Sequence, residues 1–159
     1  MSAGVPIYSV DTSALIDGLE RYYPEEAFPA LWERVDELVD QGRFLVSEEV
    51  WEEVKAKDAV VKVWCQGRKD RLVVPTDASV AAAVQDLLVD HERLVMNLKG
   101  RNRADPFVIA LAQLKGAVVL TGEGSDGTAS RPKIPYVCGQ VGVDCRRFIQ
   151  MIRSEGWRF

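Results

Sequence analysis

Short apolar runs that alternate with helical patterns constrain the fold of this chain most strongly. Four such runs, rich in Val, Leu and Ile, are found at residues 7–10, 43–46, 71–74 and 117–120. The segments between them carry apolar residues at helical spacing, which is typical of amphipathic helices. Strands separated by helices favour a parallel sheet with helices on both faces. The sequence therefore predicts an α/β fold, a three-layer α/β/α sandwich around a parallel sheet of four to five strands. We expect the fifth strand at residues 134–137 and a last helix at about 144–154.

Length and composition narrow the class of protein. The chain has 159 residues and shows neither an internal repeat nor a linker-like segment, so we expect a single domain over residues 1–159. No apolar run approaches the roughly 18–20 residues that cross a bilayer, and residues 1–4 lack the regions of a signal peptide. Three cysteines without CxxC spacing favour a reducing compartment over a disulfide framework or structural zinc. A cytoplasmic protein without a membrane segment is therefore expected.

The charge balance argues against one common way of binding nucleic acid. The formal net charge is −4, whereas proteins that bind nucleic acids through phosphates alone are usually basic. A nuclease remains compatible with this charge, because bound divalent cations invert the local field. His91 is the only histidine in the sequence. The sequence therefore offers only one histidine for acid–base chemistry or metal ligation.

Acidic residues recur where predicted strands end or helices begin. In chain order they are Asp11, Glu49, Glu53, Asp105, Glu123 and Asp126. Because the carboxyl ends of parallel strands share one edge of a sheet, these side chains are expected to converge there. Gathered carboxylates repel one another unless a cation neutralises them, and oxygen-only ligation suits Mg²⁺ or Mn²⁺. Such an ion activates water and stabilises the charge of an in-line phosphoryl displacement.

Each acidic position also has a purely structural interpretation. Taken singly, Asp11 and Asp105 are more readily interpreted as helix-capping residues, since Asp before Pro106 is an ordinary helix start. Glu49 and Glu53 lie four residues apart on one helix face, and most such residues are solvated. Asp126 lies among Gly and Ser, which is typical of a turn. The convergence of several carboxylates outweighs any single position.

Four blocks of the sequence resemble the PIN domain family. They are residues 10–16 (VDTSALI), residues 46–54, residues 104–112 (ADPFVIALA) and residues 119–123 (VLTGE). In the second block the matching residues are the pair Val46-Ser47 and the pair Glu53-Val54. That family contains the ribonuclease toxins of bacterial VapBC toxin–antitoxin modules. The resemblance covers nearly the whole chain, and the first and third blocks are the more specific. Residues 133–138 and 142–145 are similar to an uncharacterised bacterial PIN-like subfamily.

The resemblance implies a Mg²⁺- or Mn²⁺-dependent endoribonuclease. By position, its acidic metal ligands correspond to Asp11, Glu53, Asp105 and Glu123. Glu123 departs from the family, which usually has Asp there, so Asp126 is an alternative ligand.

The resemblance also suggests supporting residues and partners. These residues are Thr12, Ser13, Glu49 and Thr121; Glu49 is the alternative to Glu53, since each precedes a Val. An RNA substrate, a cognate antitoxin and a homodimer are the implied partners.

A basic loop and two alternative functions complete the expectations. Lys99, Arg101 and Arg103 precede Asp105, where they would either hold RNA phosphates or form a solvated loop. One alternative is a PIN-like binding module without catalysis. The other is a phosphotransfer domain in which Asp11 is the nucleophile, with accessory roles for Thr121 and Lys133. Ser13 argues against it, because related phosphatases carry a second Asp at that position.

Overall fold

The computed structural model describes residues 4–57, 59–92, 104–123 and 133–159. Its strands form one parallel sheet in the order β3-β2-β1-β4-β5. The strands are Tyr8–Val10 (β1), Phe44–Ser47 (β2), Val73–Val74 (β3), Val118–Leu120 (β4) and Cys145–Arg146 (β5). The predicted parallel sheet is confirmed, and it has five strands.

Helices surround this sheet. They are Thr12–Ile16 (α1, continued by a π-helical segment at Asp17–Tyr22), Pro29–Asp40 (α2), Glu48–Lys57 (α3), Ala59–Gln66 (α4), Lys69–Leu72 (α5), Ala78–Asp90 (α6), Asp105–Lys115 (α7), Ile134–Val141 (α8) and Phe148–Ser154 (α9). Within the described ranges, none of these helices is long and apolar enough to cross a membrane.

Alternate residues of β1 face opposite layers of the sandwich, as the pleat of a strand requires. The Ser9 hydroxyl donates to the carbonyl of Val108 in α7 at 2.8 Å. The preceding residue, Tyr8, faces the opposite layer, where its hydroxyl reaches Glu155 just after α9. On that second face Trp32 of α2 lies 5.5 Å from Phe148 of α9, measured between ring centroids. These contacts confirm the three-layer arrangement.

A nearly buried polar cluster fixes the end of α9 to β1. The Tyr8 hydroxyl donates to Glu155 Oε2 at 2.5 Å, and Arg43 Nη2 donates to the same oxygen at 2.6 Å. The carboxylate and guanidinium side chains are only 9% and 12% exposed. Burial and the adjacent carboxylate raise the pKa of Tyr8, which keeps the phenol protonated as a donor.

The strand order reverses between β1 and β4. The chain steps from β1 to β2 to β3 on one side, then returns to add β4 and β5 on the other. In open α/β sheets, ligands bind at the carboxyl ends of the strands at such a switch point. Val10 pairs with Leu120, so the residues that follow them, Asp11 and Thr121, lie side by side at this position.

Three predicted elements were wrong in detail. Residues 134–137 form the first turn of α8, because Pro135 occupies a position in the first turn, where proline is favoured. The fifth strand is instead Cys145–Arg146, so the last helix begins only at Phe148. In the predicted strand 71–74, the first two residues end α5 and only Val73–Val74 pairs with β2.

Candidate active site at the carboxyl edge of the sheet

Asp11 lies at the centre of the carboxyl edge. It follows β1 directly, and its backbone N–H donates to the carbonyl of Leu120 in β4 at 2.9 Å. The residue is only 2% exposed. Asp11 occupies the N-cap position of α1, yet its side chain makes no capping hydrogen bond. The capping interpretation therefore does not explain why a carboxylate is buried here.

The two oxygens of the Asp11 carboxylate have different surroundings. Oδ2 accepts hydrogen bonds from the Ser13 hydroxyl at 2.5 Å and the Thr121 hydroxyl at 3.4 Å. Oδ1 is buried and has no hydrogen-bond partner among the described residues. A buried carboxylate oxygen without a partner is costly, and native structures rarely keep one without a functional reason.

Burial is the main cause that raises the pKa of Asp11 from 3.8 to about 6. The hydrogen bond from Ser13 opposes this increase, because it stabilises the charged form. The carboxylates of Glu123 and Glu53 add to it by electrostatic repulsion. Glu53 and Glu123 therefore lie close enough to Asp11 to disfavour its ionisation.

Hydroxyl groups connect Asp11 to the loop after β4. The Ser13 hydroxyl accepts a hydrogen bond from the backbone N–H of Gly122 at 2.8 Å. The Thr121 hydroxyl accepts one from the N–H of Glu123 at 3.1 Å. Since both hydroxyls also donate to Asp11, the carboxylate and the loop hold each other in place.

Glu53 reaches the same edge from α3. Its Oε1 accepts a hydrogen bond from the Thr12 hydroxyl at 2.8 Å, directly beside Asp11. Helix α3 begins at this edge because the Ser47 hydroxyl, at the end of β2, accepts from the N–H of Val50 at 3.2 Å. Glu49 is half-buried one turn earlier in α3. The hydrogen bond from Thr12 involves Glu53 rather than Glu49.

Asp105 begins α7, the helix that packs on β1. Ala104, not Asp105, occupies the N-cap position, so the capping interpretation of Asp105 was wrong. The residue is 2% exposed. It lies one turn before Val108, whose carbonyl accepts from Ser9 of β1. Since α7 runs antiparallel to the strands that it connects, its first turn lies at the carboxyl edge of the sheet.

Glu123 is held at one oxygen by the following helix. Its Oε2 accepts a hydrogen bond from the N–H of Ile134, the first residue of α8, at 2.8 Å. The longer side chain therefore supports the start of α8 while it also acts electrostatically on Asp11.

Four predicted site residues lie outside the described residues. They are Lys99, Arg101, Arg103 and Asp126.

The donor set fits a hard divalent cation. The groups that converge here are carboxylates and hydroxyls, and the buried Asp11 Oδ1 has unused acceptor capacity. Among the described residues, no group of three or more acidic, histidine or cysteine side chains lies close enough together to hold a metal ion by itself. Asp11, Glu53, Asp105 and Glu123 are the residues that would hold the ion.

Asp17 was not among the predicted site residues, yet it is only 3% exposed at this edge. A Cβ atom added to Gly122 would lie 2.5 Å from Asp17 Oδ2 and 2.7 Å from the carbonyl oxygen of Ser13. Asp17 Oδ1 pairs with Arg21 at 3.2 Å, and Oδ2 contacts Arg147 at 3.5 Å. Its position one turn after Ser13, among apolar residues of the same helical stretch, was the available signal.

Fold and site together define an α/β sandwich with a cluster of acidic side chains at its topological switch point. The chain belongs to the family described as a domain of unknown function, DUF4411, whose model matches residues 8–159. None of the curated proteins compared with the sequence matches it.

Proposed function

We propose that the protein is a metal-dependent ribonuclease that hydrolyses RNA phosphodiester bonds with Mg²⁺ or Mn²⁺ at the Asp11 edge. The observation that carries this proposal is the buried Asp11 carboxylate, whose Oδ1 has no hydrogen-bond partner among the described residues. A fold does not define a reaction, so the argument rests on this site. The PIN-domain resemblance of the sequence supplies the substrate class.

The protein residues have separable roles in this proposal. Asp11 would hold the ion, while Ser13 and Thr121 orient its carboxylate through Oδ2. Glu53 and Asp105 add negative charge at the same edge, and Thr12 positions Glu53. When bound, the ion supplies a water of lowered pKa and neutralises charge that develops on the phosphate. No histidine is needed, in keeping with the single His91 of the sequence.

Cleavage of a fluorescent single-stranded RNA tests the proposal. With Mn²⁺ we expect cleavage by the wild type, and at least about a hundredfold loss in Asp11→Asn and in Asp105→Asn. Glu53→Gln should lose activity, whereas Glu52→Gln should keep it, because Glu52 is exposed and pairs with Lys55 on the same helix. EDTA should abolish the reaction. Far-UV circular dichroism would show that each variant remains folded.

Three outcomes would overturn the nuclease proposal. Equal cleavage by the wild type and Asp11→Asn would identify the activity as a contaminant. RNA binding without cleavage, unaffected by Mn²⁺, would favour the non-catalytic binding module. A phosphoaspartate trapped on Asp11 would favour the phosphotransfer alternative.

The toxin assignment is a finer proposal that rests on the sequence resemblance. A nuclease toxin should arrest growth when it is expressed alone and should be neutralised by the product of a neighbouring gene. Co-purification of that product with this chain would support a toxin–antitoxin pair. Growth arrest that persists in Asp11→Asn would contradict the assignment.

A further inference from the structure

A cavity of about 480 Å³ opens beside the acidic site. It is lined by Asp17, Tyr22, Tyr23, Arg147, Phe148, Ile149, Gln150 and Arg153. This volume lies within the range of roughly 300–1,000 Å³ that is usual for small-molecule sites. None of these residues is required by the nuclease mechanism proposed above.

The cavity and the acidic site share one wall. Asp17 lines the cavity, and its Oδ2 faces the backbone of Gly122, whose N–H donates to Ser13. Ser13 in turn donates to Asp11. On the other side, the N–H of Thr121 donates to the carbonyl of Arg146, which places Arg147 at the same edge of the sheet.

The chemistry of the lining is mixed in a specific way. Arg147 and Arg153 bring two guanidinium groups to the cavity, and each has five N–H donors. The contact of Arg147 with Asp17, at 3.5 Å, uses only a small part of that capacity. This positive charge contrasts with the chain as a whole, which has a net charge of −4.

Aromatic rings form the other wall. Tyr23 stacks on Phe148 with ring centroids 5.6 Å apart and an interplanar angle of 28°. Tyr22 lies 6.3 Å from Tyr23, measured between ring centroids, and is 55% exposed, so more than half of this residue is accessible to a ligand. An accessible aromatic ring beside guanidinium groups suits a ligand with a flat π-system and a phosphate.

We infer that this cavity binds a nucleotide of the RNA substrate, with the base stacked on Tyr22 and a flanking phosphate contacted by Arg147 and Arg153. The inference rests on the proposed ribonuclease function, and it adds a substrate-binding site next to the acidic edge. Stacking on Tyr22 would not depend on the RNA sequence, since every base offers a π-face. This contact would lie outside the metal site.

Binding of a short fluorescein-labelled, single-stranded oligoribonucleotide in EDTA tests this inference without cleavage. We expect Tyr22→Ala to weaken binding about tenfold and Tyr22→Phe to keep wild-type affinity, because the ring is retained. Phe159→Ala is the matched control, since Phe159 is also an exposed aromatic residue, at 67%, and lies outside the cavity lining.

Salt dependence tests the phosphate contact. Arg153→Ala should reduce the slope of log Kd against log salt concentration by about 0.7, the value for one phosphate contact on a single strand. Arg34→Ala is the control, because Arg34 is exposed on α2 and pairs with Glu37. The melting temperature of each variant would separate lost contacts from lost fold.

The four outcomes distinguish the two proposals. Cleavage by the wild type with weaker binding by the cavity variants supports both. Cleavage with unchanged binding by those variants overturns the cavity inference and leaves the nuclease proposal intact. Binding that depends on the cavity but is never followed by cleavage in Mn²⁺ overturns the nuclease proposal alone. Neither binding nor cleavage by the wild type overturns both.

Discussion

Asp11 is the residue at which stability and the proposed chemistry oppose each other. Its carboxylate is buried beside Glu53 and Glu123, so the fold disfavours the charged form that a cation needs. Ser13 and Thr121 offset part of this cost at Oδ2. The remaining cost should be measurable as a pH-dependent loss of stability.

Asp11→Asn should therefore stabilise the metal-free protein at pH 7. Because the pKa rises from 3.8 to about 6 on folding, the folded state binds this proton more tightly than the unfolded chain does. The stabilisation is fully present below pH 4 and is lost as the pH rises through about 6. At pH 7 the loss corresponds to about 3 kcal/mol, which is the upper limit for the gain in Asp11→Asn.

Urea denaturation in EDTA from pH 4 to pH 7 measures this effect. The stability advantage of Asp11→Asn should grow with pH and vanish near pH 4. Asp86→Asn, an exposed residue of α6, should show no comparable trend. An advantage independent of pH, or destabilisation at pH 7, would refute the assigned cause.

Gly122 is constrained by steric contact with its neighbours rather than by charge. An added Cβ would lie 2.5 Å from Asp17 and 2.7 Å from the Ser13 carbonyl, and the backbone carbonyl cannot move aside easily. Gly122→Ala should therefore destabilise the protein by about 1–3 kcal/mol, and it should displace the loop that orients Asp11.

Gly139→Ala is the matched control for this clash. Gly139 lies in α8 with nothing within 4 Å of an added Cβ, so alanine there should be neutral or stabilise by about 0.5–1 kcal/mol. Thermal denaturation compares the two variants. An equal effect of both substitutions would mean that Gly122 is not sterically constrained.

Among the elements, α9 is tied to the sheet by an ion pair that is largely withdrawn from water. Glu155 accepts from Tyr8 and Arg43 at the end of this helix. Glu155→Ala would leave the Arg43 charge and the Tyr8 hydroxyl without that partner, which should cost about 2–4 kcal/mol. Glu37→Ala, which breaks an exposed pair with Arg34, should cost at most about 0.5 kcal/mol.

Urea denaturation distinguishes these two variants. Oligoribonucleotide binding by Glu155→Ala then shows whether the proposed RNA cavity is affected, because α9 supplies Phe148 and Arg153 to its lining. Similar small losses in Glu155→Ala and Glu37→Ala would show that the buried pair does not hold the helix.

Periodicity was sufficient to predict the elements with long, regular patterns. The strands β1, β2 and β4 lie within one residue of the predicted apolar runs, and helices lie in the segments between them, where apolar residues recur at helical spacing. The strand predicted at residues 134–137 was wrong because a four-residue apolar run with proline fits a strand or a first helical turn equally well. Strand β5 was not predicted because Cys145–Arg146 is a short edge strand without an apolar pattern.

The same distinction applies to the candidate site. Asp11 and Glu123 were predictable because each follows a strand of the parallel sheet, and Glu53 because it lies in the helix that follows β2. The roles of Ser13 and Thr121 were only partly visible, because their hydrogen bonds depend on how two chain segments meet. Asp17 was not predictable, because its burial depends on packing against Gly122 and on Arg147, far away in the sequence.

For the whole molecule, charges of opposite sign lie next to each other at one edge of the sheet. The carboxylates of Asp11, Glu53 and Glu123 gather near the switch point, while Arg147 and Arg153 line the neighbouring cavity. An acidic protein that acts on RNA needs such a division, with a cation over the carboxylates and guanidinium groups for flanking phosphates. The proposed ribonuclease activity therefore depends on divalent-cation binding at Asp11.

Isothermal titration calorimetry with Mn²⁺ at pH 7.5 tests that dependence most directly, because it needs no substrate. We predict saturable binding to the wild type, at least tenfold weaker binding to Asp11→Asn, and unchanged binding to Glu52→Gln. Equal affinity in the wild type and Asp11→Asn, or no binding to either, would contradict the account.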